Sequence, residues 1–338
     1  MNRKLFIKVF LISFLIFSLV IFTGLYTFNY FFNSNEIVID DKNEDGNLEN
    51  EEEILESDTP IEKAIKRSKR INILLLGLEG TRSDTIILAS YDVESKKADL
   101  ISIPRDTYYE REGYRDYSEF MKINSIYGSD DRKQYSLADA IENMTKIPID
   151  KYVSIDYEGV RAAVDAVGGV EFNVPFHMKY TDPYDTPPLY IDIPEGEQII
   201  DGENAMELLR FRKGNPGYKG YIQGDVGRIE TQQNFIKAVI KKAVSLKLPS
   251  VISAVYPYVK TDLTMTELAG LAANALGFNV ENLNATILPG EAEYIKGLSF
   301  YVPNKEEITK LLYELYEVPL NTNSNTDKEQ NSSESENS

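Results

Sequence analysis

The sequence has no cysteine, no tryptophan and a single histidine, His177, among 338 residues. Without cysteine there is no disulfide scaffold, no thiolate zinc site and no thiol nucleophile. One histidine excludes a three-histidine zinc centre, and a Ser-His-Asp triad would have to rest on His177 alone. Basic side chains are also in deficit. With 36 Lys and Arg against 54 Asp and Glu the net charge is −18, the wrong sign for displacing counterions from a phosphate backbone. Nucleic acid is therefore excluded as a partner. No GxGxxG follows a strand pattern, and GLEGTRSDT (77–85) lacks the lysine of GxxxxGK[ST], so neither generic nucleotide loop is present. The chemistry that remains runs on carboxylates, arginines, hydroxyls or a borrowed hard metal ion.

The charge is unevenly spread. Residues 1–35 carry Arg3, Lys4 and Lys8 and no acid, 36–58 carry a net −10, and the tail from Asn321 carries −3, leaving −8 for 59–320. Between Val9 and Tyr26 there is no charge, and the apolar run from Leu5 to Phe32 is long enough to cross a ~30 Å hydrocarbon core as a helix. Tyr26, Tyr30, Phe31 and Phe32 would sit at the far interface. No Ala-x-Ala cleavage site follows, so the reading is an uncleaved anchor over 9–32 rather than a signal peptide. Basic residues before the span and acids after it leave 1–8 in the cytoplasm and put the rest outside the cell. The expected protein is single-pass in the cell membrane, with membrane lipid as a partner. Residues 33–60 read as an acidic disordered linker, 61–320 as the folded extracellular domain, and 321–338 as a disordered polar tail.

Within the folded part, INILLLG (71–77) reads as a buried strand. TIILASYD (85–92) and KADLISIP (97–104) follow as a hairpin around Glu94-Ser95-Lys96. SLADAIENM (136–144) predicts a helix capped by Ser136, with Ala138, Ile141 and Met144 on one face. KYVSID (151–156) and VEFNV (170–174) read as strands, and between them 157–169 reads as a helix stopped by two glycines. Helical spacing recurs over 228–246, 264–276 and 304–317, with the strand NATILPG between the last two. Strands and helices intermixed along one chain, some strands joined by hairpins, predict an α/β fold: a single layered α-β-α domain with a mixed central sheet, preceded by one transmembrane helix.

Arginines recur at strand edges beside carboxylates. Arg82 and Asp84 are expected between the first two strands, Arg105 and Asp106 after the third, Arg210 and Arg212 after a short helix, and Asp225 and Arg228 at the start of the next long one. In extended chain, residues i and i+2 point the same way, so Arg210-Phe211-Arg212 would present two guanidiniums as a fork suited to phosphate. Asp84 and Glu79 offer hard oxygen ligands, and Mg²⁺ is commonly held by one or two carboxylates plus substrate phosphates. Arginines with a carboxylate-held Mg²⁺ describe a pyrophosphate site.

The strings ILLLG followed by RSDT (82–85), SIPRDT (102–107), KIN (122–124), VDAVGGVEFNV (164–174), DGENAMELLRFR (201–212) and GDVGR…QQ (224–233) resemble the LytR-CpsA-Psr family. The likeness runs over roughly Arg70 to Asp262. The resemblance implies a membrane-anchored phosphotransferase that moves a glycopolymer, such as teichoic acid or capsule, from a polyprenyl-pyrophosphate carrier to a peptidoglycan acceptor in cell-wall assembly. By that resemblance Arg82, Arg105, Arg210, Arg212 and Arg228 hold the pyrophosphate and serve catalysis, and Gln232 belongs to the same site. Asp84 is a catalytic and metal-ligating carboxylate for Mg²⁺, and Asp225 is a substrate-site carboxylate and alternative general base. The family pattern is broken twice. Glu79 stands where an aspartate is usual, and Thr231 where an arginine is usual. A tunnel for the polyprenyl chain is implied between sheet and helices, with Val160, Val164, Phe235, Val239 and Ile240 as lining. Tyrosines at 108–127 and 180–190 offer faces for sugar stacking, and His177 matches no motif. The alternatives are a noncatalytic polyprenyl-phosphate-binding or regulatory membrane protein, and a lipid-carrier pyrophosphatase.

Overall fold

The computed structural model describes residues 54–55, 57–79, 82–114, 118–129, 131–184, 188–244 and 248–320. The apolar run at 5–32, most of the acidic stretch and the polar tail lie outside the described residues. Among the described residues no helix is long and apolar enough to cross a membrane. Among the described residues, 54–262 with 277–320 belong to one compact unit and Leu263–Leu276 to a second, smaller one.

The larger unit begins with the helix α1 (Pro60–Arg67), whose capping box joins Thr59 and Glu62. Strands β1 (Arg70–Glu79), β2 (Arg82–Asp92), β3 (Lys97–Ser102), β4 (Lys151–Ile155), β9 (Val259–Thr261) and β10 (Leu283–Ile287) then form one sheet, ordered β10-β3-β2-β1-β4-β9. The β1–β2, β2–β3 and β4–β9 pairs are antiparallel, while β1–β4 and β3–β10 are parallel. This is the mixed sheet expected from the hairpin link. The turn between β2 and β3 is held by Asp92, whose carboxylate accepts from the Glu94 and Ser95 N–H groups.

The sheet's two faces are packed differently. Leu74, Leu76, Ile86, Leu88 and Ile101 point one way and are almost wholly buried with Leu137 and Ile141 of α2 (Gln134–Thr145) and Ile308 and Leu312 of α8 (Lys305–Leu315). Each such side chain contributes roughly 1.5–3 kcal/mol relative to exposure. The opposite face carries Ile73, Leu75, Ala89, Ala98, Val153, Ile155 and Ala285, all apolar and all only half-buried. Ile236 and Ile240 of α5 (Asp225–Ala243) join Leu75, Ile87 and Leu100 on that face.

A neighbouring stripe of α5, with Phe235 and Ala243, enters a second core. It also holds Val164 of α3 (Tyr157–Ala166), Leu208 of α4 (Gly202–Arg210) and Phe211. Two short ladders cover this core, β5 (Val170–Val174) with β8 (Gly196–Ile200) and β6 (Met178–Asp182) with β7 (Leu189–Ile193). Helix α6 (Leu248–Val255) precedes β9, and β11 (Gly290–Ile295) pairs with β12 (Leu298–Pro303). In the smaller unit, α7 (Met265–Ala275) starts at a second capping box, Thr264 with Glu267.

Two local expectations need correction. Helix α2 begins two residues before Ser136, with Lys133 as its N-cap, so Ser136 lies inside the first turn. Its buried stripe is Leu137, Ala140, Ile141 and Thr145, and Ala138 and Met144 only flank it. Arg82 and Asp84 lie within β2 rather than between strands, because hydrogen bonding to β1 runs past the apolar stretch to the Glu79–Arg82 pair.

Candidate active site

The site begins at an irregularity. Along β1–β2 the register runs Gly77 opposite Thr85, then Leu78 opposite Ser83. Asp84 is left over, so it is the extra residue of a β-bulge, and bulges re-aim side chains. In unbroken alternation Asp84 would share the core-packed face of Ile86 and Leu88. Gly77 makes the close approach possible, since a Cβ there would lie 2.9 Å from Thr85 Cβ. Gly77→Ala is therefore expected to cost roughly 1–3 kcal/mol, the usual range for overpacking, and to weaken activity by displacing Asp84. A urea titration alongside an activity assay checks both.

Arg105 reaches Asp84 from the segment after β3. Its guanidinium meets Asp84 Oδ1 at 2.8 Å, both side chains being mostly buried. The turn carrying it is fixed on three sides. The Thr107 hydroxyl and N–H donate to the Pro104 carbonyl, the Asn124 N–H donates to the Arg105 carbonyl, and the Ile103 N–H donates to the Ile86 carbonyl. Lys122 of the KIN string steadies the same turn through Asp106 at 3.4 Å.

Helix α5 closes the cleft. Arg228 and Gln232, one turn apart and each under a tenth exposed, line it together with Asp84, Thr85, Ile87, Ser102 and Arg105. The cavity they leave is narrow, about 10 Å³. Thr85, Ile87 and Ser102 belong to the sheet face that α5 packs on, Thr85 half-buried and the other two buried, so the charged cleft adjoins the apolar face. Gln232 also donates to the Leu209 carbonyl at 3.0 Å, tying α5 to the end of α4.

Arg210 is the last residue of that helix, and its guanidinium lies 5.1 Å from the Tyr157 ring centre. The fork expected at 210–212 is not a strand feature. Arg210 is helical, Phe211 turns inward and is fully buried, and Arg212 is exposed in the segment beyond. The structure thus gathers Asp84, Arg105, Arg228 and Gln232, and links Arg210 to them through Gln232 and Leu209. Glu79 and Arg82 are paired at the turn end of the β1–β2 hairpin and Asp225 opens α5; their side chains lie outside the described part. Thr231 is buried, with its hydroxyl donating to the Gly227 carbonyl.

Sequence reasoning missed Tyr157, the surface under Arg210, although its place after the N-cap Asp156 was readable. It also missed Gln233, whose buried amide donates to Ser102 Oγ at 2.9 Å and to the Thr286 carbonyl at 2.6 Å. Of the expected lining residues, Val164, Phe235 and Val239 belong to the second core, and Ile240 faces the sheet. Tyr108 packs edge-on against Phe300 and Tyr127 is buried, so these two anchor a loop, whereas Tyr184 and Tyr190 are exposed. His177 pairs with Asp192 at 2.7 Å and packs edge-on against Tyr218.

A hard carboxylate oxygen beside guanidiniums suits Mg²⁺, which needs only one or two protein carboxylates when phosphates complete its shell. Among the described residues no group of three or more His, Cys, Asp or Glu side chains forms a self-sufficient metal cage.

The chain matches known proteins over most of its length. The LytR_cpsA_psr family matches residues 30–317. The polyisoprenyl-teichoic acid–peptidoglycan teichoic acid transferase TagU of Enterococcus faecalis is 31% identical over 267 residues, covering 74% of this chain and 80% of the relative. The transferase of that kind named TagV, from Bacillus subtilis, is 27% identical over 277 residues, covering 77% of this chain and 68% of the relative. The crystal structure of Bacillus subtilis TagV matches with a TM-score of 0.60 at 27% identity, covering 75% of this chain and 100% of that one. On the span of the family match and the fold it shares with TagV, the chain belongs to the LytR-CpsA-Psr family.

Proposed function

We propose that this protein transfers a glycopolymer from a polyprenyl-pyrophosphate carrier to peptidoglycan, at the outer face of the cell membrane, with an N-terminal anchor at 9–32. One observation carries the reading. The cleft of Arg105, Arg228, Gln232 and Asp84 adjoins the apolar sheet face that α5 packs on, part half-buried and part buried, an arrangement complementary to an amphiphile with an anionic head and an isoprenoid chain. The names of the relatives, which are teichoic acid transferases, support the same substrate class.

The chemistry follows from the side chains. An acceptor sugar hydroxyl attacks the phosphorus bonded to the glycopolymer, and the bond from that phosphorus to the bridging oxygen breaks. Polyprenyl phosphate leaves with the bridging oxygen and its electron pair. The hydroxyl proton passes to a carboxylate, Asp84 or Asp225, or to solvent. Arg105 and Arg228, aided by Arg82 and Arg210, offset the charge that grows on the leaving phosphate, the main protein contribution to phosphoryl transfer. Mg²⁺, held by Asp84 with Glu79, would add Lewis-acid neutralisation of the phosphate oxygens. Phe211 and the buried wall of α5 hold these groups in place before substrate arrives.

The test is direct. The full chain is given a labelled glycopolymer on polyprenyl pyrophosphate together with peptidoglycan. The label is expected on peptidoglycan, with equimolar release of polyprenyl phosphate. Release of polyprenyl phosphate at the same rate without acceptor would instead identify a lipid-carrier pyrophosphatase. Tight polyprenyl-phosphate binding without any turnover would identify a noncatalytic binder.

A further inference from the structure

The segment between the second arginine pair and α5 is unlike the rest of this acidic protein. From Leu208 to Gly224 the sequence carries Arg210, Arg212, Lys213 and Lys219 and no acid. Its residues 212–224 are nevertheless built into the fold. Asn215 ties the loop to β6 three times. Its N–H donates to the Lys179 carbonyl, its Oδ1 accepts from the Thr181 N–H at 2.6 Å, and its Nδ2 donates to the Thr181 carbonyl. Gly214 lets the loop fold back on itself, since a Cβ there would lie 2.5 Å from the Lys219 carbonyl oxygen. Tyr221 inserts its ring against Phe176 and Phe211, at centroid distances of 5.2 and 5.9 Å.

With Tyr221 turned inward, the next residue is forced outward. Ile222 is fully exposed at 102%, and Tyr218, Lys213 and Lys219 are exposed beside it in sequence. An isoleucine held fully in water contributes no burial to the fold. An exposed aliphatic and an exposed tyrosine among lysines are the composition of a membrane-interface contact. The loop also sits at the rim of the cleft, because Tyr221 packs on Gly227, one residue before Arg228.

We propose that the 212–224 loop docks on the anionic surface of a lipid bilayer, with Ile222 entering the headgroup boundary and Lys213 and Lys219 over lipid phosphates. This places the mouth of the cleft where a lipid-borne pyrophosphate emerges. It rests on the proposed function for that purpose, though the contact itself can be measured without turnover. An anionic glycopolymer would also meet the lysines, but it gives no account of Ile222.

The chain's lack of cysteine makes the test clean. Ile222→Cys and, as control, Ser95→Cys are labelled with an environment-sensitive fluorophore in the full chain. Ser95 is exposed in the β2–β3 turn, at the end of the sheet opposite Asp84. Each protein is reconstituted into vesicles of phosphatidylglycerol or of phosphatidylcholine containing a shallow lipid quencher. Emission at position 222 is expected to fall at least ~2-fold in phosphatidylglycerol, as for an interfacial side chain, and position 95 to stay unquenched in both. Adding Lys213→Glu and Lys219→Glu is expected to abolish the quenching. Equal quenching at 222 and 95 would overturn the proposal, and so would a response at 222 only to soluble anionic polymer. The transferase reading stands or falls separately, on label transfer.

Discussion

Arg105→Ala is expected to lower glycopolymer transfer by at least ~10²-fold, the loss usual for one transition-state donor. The loss should be larger than for Arg82, Arg210 or Arg212, because this side chain does two things. It lines the cleft, and it holds Asp84 Oδ1 at 2.8 Å. Arg228→Ala is expected to reach a similar loss, since its guanidinium is buried in the same wall. Arg212→Ala should be milder, its side chain being exposed beyond Phe211. Arg105→Lys should recover little, because an ammonium lacks the planar fork that can meet a carboxylate and a phosphate together. Steady-state transfer rates, with circular dichroism to confirm folding, measure this ranking. Wild-type turnover in folded Arg105→Ala and Arg228→Ala would remove the cleft from the mechanism.

The second large effect concerns Asp84. Asp84→Asn keeps the shape but removes the charge that both Arg105 and a Mg²⁺ ion would use. Activity should fall by ~10²-fold or more, on the scale of a lost electrostatic group in phosphoryl transfer. Raised Mg²⁺ should restore part of it. Glu79→Gln should be milder, since Glu79 ends the hairpin beyond the bulge, on a longer stem. Glu79→Asp is the direct comparison, with the shorter stem, and it should keep or improve activity. A Mg²⁺ titration of all three, repeated with chelator, decides. Indifference to chelator, or equal losses in Asp84→Asn and Glu79→Gln, would contradict the assignment.

The sequence made the strands easy to find and the site harder to assemble. Apolar runs bounded by Gly77, Pro104 and Gly168-Gly169 mark buried strands and a helix stop because period and turn chemistry are local. The hairpin at Glu94-Ser95-Lys96 and the resulting mixed sheet were legible for the same reason. The bulge at Asp84 was not, because it is a property of cross-strand register, and alternation along one strand does not encode it. Arg210-Phe211-Arg212 was misread as extended because α4 continues through Arg210, and only the burial of Phe211 in the second core shows where the chain turns. Helix α5 carries two adjacent apolar stripes, one for the sheet and one for that core. The implied lining took Phe235, Val239 and Ile240 together, whereas Phe235 and Val239 belong to the second core and Ile240 faces the sheet beside Ile236. Gln232 was placed in the site by resemblance, but its bond to the Leu209 carbonyl needed three dimensions.

The central claim is that one cleft holds the pyrophosphate head while the adjoining sheet face holds the isoprenoid chain. A crystal structure of the protein with polyprenyl phosphate bound tests it most directly. The account predicts phosphate density within hydrogen-bond reach of Arg105 and Arg228. It also predicts chain density running along Leu75, Ile87, Ile236 and Ile240. Phosphate bound away from these arginines, or a lipid chain on any other face, would contradict it.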